Sequence, residues 1–257
     1  MKKTLTLLFL IAMIAACKKE KTSISPSADF TFGSQTSDGY RLVANDTVTL
    51  NNSVKNAASI SWDLGDGRKS TENKPVLSYP KAGVYTVTLT ATSKDGQKVT
   101  ASKKVTILNL VLKSIVINNV FWNNTDNQYA DAGWPLTNSA DIYVKIQKLQ
   151  GNDVFLNGFV PNAPVIYSSP LQKDVSKVTN DPKTINVSSK VILDKAALVK
   201  GNYVISLIAK NTTGEYVLFS NLYSGSELLV KSDDLSKNTF RLTTSFFSSV
   251  DLNCDFE

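Results

Sequence analysis

Residues 62–67 read Trp62-Asp63-Leu64-Gly65-Asp66-Gly67. A short carboxylate can accept a hydrogen bond from a backbone amide two residues on, and glycine supplies the positive φ that a tight reversal needs. The stretch therefore predicts a compact turn leaving a strand whose Trp62 faces a core. Downstream, Val84 to Ala91 reads VYTVTLTA, with Tyr85, Val87, Leu89 and Ala91 on one face and Thr86, Thr88 and Thr90 on the other. That period of two marks a strand dry on one side and wet on the other, as in an antiparallel sandwich. Further strands are expected near Ala28 to Phe32, Val48 to Leu50, Ile60 to Leu64 and Val99 to Ile107, with turns at Ser37-Asp38-Gly39 and Lys94-Asp95-Gly96. Together they predict a seven-stranded sandwich over residues 28–107.

Three blocks in order, Trp62 to Gly67, Pro75-Val76-Leu77-Ser78-Tyr79 and Gly83-Val84-Tyr85-Thr86-Val87-Thr88-Leu89, resemble the polycystic kidney disease (PKD) domain. That family's hallmark is Trp-Asp-Phe-Gly-Asp-Gly, then a Tyr and a Gly-x-Tyr-x-Val strand; Leu64 for Phe is the single departure. The resemblance implies an immunoglobulin-like sandwich, used in extracellular proteins as a spacer or as a protein- or carbohydrate-contacting module. It also implies structural roles for Trp62, Asp63, Gly65, Asp66, Gly67, Tyr79, Gly83 and Tyr85. Asp63 and Asp66, three residues apart in a glycine turn, read as caps of backbone amides. The further oxygen ligands and distal Glu of an EF-hand are missing.

Residues 108–257 are again strand-like. Leu110 to Val120, Ile142 to Leu149, Val154 to Val160, Thr184 to Leu193, Tyr203 to Lys210, Tyr216 to Leu222, Glu227 to Lys231 and Thr239 to Ser248 are the expected strands, with a helical turn at Asp194 to Lys200. No long 3.6-period segment occurs, which argues against a parallel α/β fold and its phosphate loops. The predicted class is all-β, two tandem antiparallel sandwiches, the second with eight strands. Asp141 to Ile146 after an Asn/Asp-rich loop, with Tyr203 to Lys210 and Tyr216 to Phe219 around another, resembles more weakly the calcium-and-lipid-binding sandwich of synaptotagmin and protein kinase C. There the resemblance matches Asp141, with Asp126 or Asp131, to calcium ligands. Where that family places Asp-x-Asp, this chain has Lys210-Asn211-Thr212-Thr213-Gly214, so no metal site and no cofactor are expected.

The candidate binding surface is Phe121 to Trp134, FWNNTDNQYADAGW. Trp122, Tyr129 and Trp134 with Asn124 and Asp131 combine faces that stack on sugar C–H groups with amides and carboxylates that bond hydroxyls; aromatics also anchor protein partners. The alternative is that Trp122 and Trp134 cover the end of the core.

The chain has 257 residues and no His, which removes His-dependent triads and the commonest zinc ligand. Lys2 and Lys3 precede Thr4 to Ala16, where 11 of 13 residues are apolar, a stretch shorter than the roughly 20 residues of a membrane span. It closes on Ile14-Ala15-Ala16-Cys17, which resembles the bacterial lipoprotein lipobox. The resemblance implies a signal peptide over 1–16, cleavage before Cys17 and lipid on that cysteine, leaving Cys254 without an intrachain partner. Residues 17–27 are a polar tether. Its Lys-Lys-Glu-Lys partly resembles the surface-export signal of Bacteroidetes lipoproteins, so the expected location is the outer membrane, on either face. Without Lys2 and Lys3 the basic surplus is small, 26 against 22, and scattered, so no nucleic-acid partner is expected. Asp46-Thr47-Val48 fits the O-glycosylation acceptor pattern of Bacteroidetes at Thr47.

Two function classes follow. The first is a non-catalytic, lipid-anchored envelope protein, membrane-bound through its lipid, whose sandwiches present a surface to a polysaccharide or outer-membrane protein. The second is a carboxylate-dependent glycan hydrolase, which needs an acid pair such as Asp131 with Asp141 across a cleft. No catalytic residue is assigned.

Overall fold

A computed structural model describes residues 24–34, 39–122, 137–156, 160–212, 214–222, 227–245 and 248–257. Residues 1–23, with the expected signal peptide, Cys17 and most of the expected tether, and residues 123–136 lie outside the described residues.

In the first third, β1 (Phe30–Phe32), β3 (Val48–Asn52) and β6 (Val76–Leu77) form one sheet. The facing sheet runs β2-β8-β7-β4-β5, from β2 (Tyr40–Val43), β4 (Ser59–Asp63), β5 (Lys69–Ser70), β7 (Gly83–Thr92) and β8 (Lys98–Leu108). Between them Phe30, Leu50, Trp62, Leu77, Tyr79, Val87, Leu89 and Ile107 are buried. Phe30 meets the Trp62 ring edge-on at 5.2 Å. Each such side chain contributes roughly 1.5–3 kcal/mol by leaving water. β2 escapes sequence reading because its consecutive apolar residues serve different cores: Leu42 packs in the first and Val43 in the second. It also pairs parallel to β8, the one parallel ladder among the described strands.

The second core lies between two larger sheets. One runs β13-β9-β19-β18-β17, with β14 also on β9: β9 (Leu110–Phe121), β13 (Val178–Thr179), β14 (Lys183–Leu193), β17 (Glu227–Asp234), β18 (Thr239–Ser245) and β19 (Ser249–Phe256). The other runs β11-β10-β15-β16, with β12 also on β10: β10 (Ser139–Lys148), β11 (Val165–Ser168), β12 (Gln172–Ser176), β15 (Tyr203–Lys210) and β16 (Glu215–Ser220). Leu112, Ile115, Val144, Ile205, Leu207, Phe219, Leu242 and Leu252 fill the interior. Cys254 lies among them on β19, free and buried. The one helix among the described residues, the short α1 (Lys195–Val199), starts at Asp194, whose side chain accepts from the Ala197 amide.

This sandwich carries eleven described strands rather than eight. Four of them were not expected: β19, although Val250, Leu252, Cys254 and Phe256 alternate along it, and β11 to β13, short segments among Pro164, Pro170 and Pro182, residues that confine strands to sheet edges and erase the alternation that would reveal them. Of the expected strand Val154 to Val160, the described residues Val154, Phe155 and Leu156 are about half exposed and carry only one bridge, at Leu156; residues 157–159 lie outside the described residues. The Gln147 amide instead holds this loop, donating to the Val160 carbonyl at 2.8 Å and the Ala163 carbonyl at 2.9 Å.

The two cores meet without a spacer. β8 passes into β9 through Asn109, whose N–H and C=O both pair with Glu257. The chain enters at the other end of the first sandwich: Ser27 bridges Lys55, and Ser25 donates to Gln97 in the β7–β8 turn, far from the Gly83/Ile107 pair beside the junction. In the second sandwich the Leu110/Phe256 pair lies at the junction, and the Asn119/Ser249 pair lies at the opposite end. Entry, junction and far pole therefore follow one another along the molecule.

Candidate functional site

The turn that ends β4 spends its polar groups on itself. Asp63 accepts from the Gly65 amide at 2.9 Å, and Asp66 accepts from the Arg68 amide at 3.0 Å and pairs with its guanidinium at 2.7 Å. Gly65 sits at φ +81, where a Cβ would lie 2.5 Å from the Thr86 carbonyl oxygen, so only glycine fits. Tyr79 donates to the Leu64 carbonyl and stacks on Tyr85 with centroids 4.0 Å apart. Burial, reinforced by Asp66, pushes the Tyr79 phenol well above its ordinary range. Tyr85 donates to the Lys81 carbonyl at 3.0 Å, and Gly83 takes φ +154 beside its ring. Trp62 donates from its indole to the Glu72 carbonyl at 2.9 Å. Among the described residues no cluster of three or more acidic or cysteine side chains could hold a metal ion.

The outer face of the β8-β7-β4 sheet is a lattice of hydroxyls. Ser61, Thr90 and Thr100 align across three strands, as do Asp63, Thr88 and Ser102. Beside β5 it forms an open groove of about 560 Å³ lined by Ser61, Asp63, Lys69, Thr71, Thr88 and Thr90.

At the far pole, Trp122 is 1% exposed and belongs to the second core. Its placement corrects the reading of Trp122 as part of an open stacking platform: it covers the core end, where burying a large indole gains most. Asn124, Tyr129, Asp131 and Trp134 lie outside the described residues. The segments flanking them close on each other, Trp122 donating to Lys177 and Lys177 to Asn138. Asp141, the matched calcium ligand, is engaged by the Lys173 ammonium at 2.6 Å and the Asp174 amide at 3.0 Å, which hold its carboxyl below the usual range. Glu215, at the neighbouring loop, pairs with Lys210 at 3.1 Å and accepts from Tyr143 at 2.8 Å. These charges are satisfied within the fold.

The junction gathers residues that sequence reasoning missed. Lys195, with its side chain 13% exposed, lies 3.3 Å from Asp46 and 2.8 Å from Asp233. Arg41 donates to the Leu235 carbonyl at 2.8 Å and to Asn238. Asp194 accepts from Lys148 at 3.1 Å and from the Ala197 amide, and the neighbouring Asn45 side chain also favours its charged form. Burial opposes its ionisation, but these donors outweigh burial and lower its pKa. A cleft of about 260 Å³ opens here between the sandwiches. Asp194 was legible as a helix start; nothing local marks Asn45 or Lys148 as partners. Thr47, next to Asp46 in the β2–β3 turn, is exposed.

Residues 24–107 match the family model described as PKD domain. The chain is 42% identical over 59 residues to the pre-pro-metalloprotease PrtV of Vibrio cholerae, covering 23% of this chain and 6% of that protein. The chain thus spans a small fraction of the curated relatives it matches. The crystal structure of the PKD1 domain of that protease is 34% identical and covers 33% of this chain and 98% of the domain, with a TM-score of 0.27. A structure of carbohydrate-binding modules from the β-sandwich superfamily aligns over 91% of this chain and 98% of its own at 10% identity and a TM-score of 0.28, too loose to bear on function. The first sandwich is a PKD domain, in an all-β chain.

Proposed function

We propose that the protein is a non-catalytic, lipid-anchored envelope protein in which a PKD spacer (residues 28–107) carries a second sandwich (108–257) that captures polysaccharide at its far pole. The observation that supports this most is polarity. The chain enters at one end of the PKD domain, the second sandwich is fastened to the other end, and the segments flanking residues 123–136 lie at the pole furthest from entry. Lipid on Cys17 and a tether over 17–27 place that pole away from the bilayer. Tyr129 and Trp134 supply stacking faces and Asn124 and Asp131 hydroxyl partners. Exposed Thr47 is a modification position on the PKD flank.

Anchoring is tested by fractionating cells that express the full chain or Cys17→Ala. The reading requires wild type in the membrane pellet and the variant in the soluble fraction; equal distribution contradicts it. Protease shaving of intact cells then separates surface display, which exposes the chain, from the periplasmic face, which protects it.

A further inference from the structure

We infer that the junction cleft is a second ligand site, which takes one neutral, hydroxyl-bearing ring the size of a monosaccharide. It lies at the opposite end of the second sandwich from the far pole, so either site can fail without the other.

The cleft is built from both sandwiches. Ala44, Asn45 and Pro80 come from the first, Lys148, Ile166, Ile192 and Asp194 from the second, and Asn109 from the strand crossing between them. Its volume of about 260 Å³ corresponds to roughly nine waters at ~30 Å³ each, room for one ring and not for an extended chain. Domain junctions with apolar walls and a few converging polar groups are where small ligands preferentially bind. Its apolar lining includes Pro80, Ile166 and Ile192, surfaces suited to the C–H face of a ring.

The polar lining includes the Lys148–Asp194 pair. Asp194 uses two of its roughly four acceptor positions on Ala197 and Lys148 and has Asn45 beside it, and Lys148 uses one of its three donors on Asp194. What remains is an acceptor beside two donors, held rigidly: Asp194 caps α1, its own amide donates to the Tyr203 hydroxyl at 3.0 Å, and the Lys148 ammonium sits 5.8 Å from the Tyr203 ring centre. An acceptor adjacent to a donor matches two neighbouring hydroxyls. Because the pair is neutral overall, an anion meets Asp194 and a cation meets Lys148, which selects against both.

The full chain in detergent is titrated with methyl glucoside, methyl galactoside and methyl N-acetylglucosaminide, following the side-chain amide signals of Asn45 and Asn109 by NMR. At least one glycoside is expected to shift both signals. Ile192→Trp, at a position 49% exposed, narrows the mouth and should weaken binding about tenfold or more without lowering the unfolding midpoint. Lys148→Met should weaken it similarly. Unmoved amide signals with all three glycosides overturn the site, as does a stronger response to acetate or methylamine, or undiminished binding by Ile192→Trp.

Discussion

Lys195 Nζ lies 3.3 Å from Asp46 Oδ2, tying the helix of the second sandwich to the β2–β3 turn of the first. The same ammonium reaches Asp233 at 2.8 Å, so one largely buried cation holds two carboxylates that would otherwise face each other. Lys195→Met should therefore cost about 1–3 kcal/mol in urea unfolding, between the values for exposed and buried pairs, and Asp46→Asn less. Small-angle scattering should show a broader distance distribution for Lys195→Met. An unchanged midpoint and profile would count against a fixed junction.

The two glycines of the β4 turn should behave differently. Both have positive φ, but a Cβ on Gly65 meets the Thr86 carbonyl oxygen at 2.5 Å, whereas a Cβ on Gly67 meets open space. Gly67→Ala should cost about 1–2 kcal/mol from backbone strain, and Gly65→Ala about 3 kcal/mol or more from strain plus collision. Equal losses in denaturant melts would mean that the Thr86 contact does not constrain the turn.

The pH dependence of the junction follows from Asp194. Burial raises its pKa, but the Ala197 amide, Lys148 and Asn45 lower it further, leaving it below the ordinary 3.8. A depressed carboxyl contributes stability that is present above its unfolded pKa and lost as pH falls through the folded one. Asp194→Asn should thus be less stable than wild type at pH 7, with the gap closing below about pH 4. A gap independent of pH would assign the effect to capping alone.

Cys254 offers a probe of the second core. It is 2% exposed, and burial, with Asp255 adding, pushes its thiol up to about 12. A disulfide reagent should leave it unmodified in the native protein and label it only in denaturant, because labelling requires opening of β19. Rapid native labelling would show that this strand opens readily.

What could be read in the sequence was whatever one strand or one turn determines by itself. Val84 to Ala91 alternates cleanly because one face meets a core and the other water, and the β4 turn is legible because its carboxylates and glycines act within a few residues. β2 was missed because Leu42 and Val43 enter different cores, and β11 to β13 because prolines interrupt them. The junction was invisible for the same reason: Asp46 and Lys195 are 149 positions apart, and neither is unusual where it stands. Trp122 shows the converse limit, since composition alone does not separate a stacking tryptophan from a buried one.

The most direct test of the account is capture of the full chain on immobilised cell-wall and plant polysaccharides, comparing wild type, Trp134→Ala and the Tyr129→Ala, Trp134→Ala pair. The account predicts retention of wild type on at least one polysaccharide, loss of most of it in Trp134→Ala and all of it in the pair, unchanged unfolding midpoints, and no release of reducing sugar. Undiminished retention by the folded pair, or steady release of reducing ends by wild type, would contradict it.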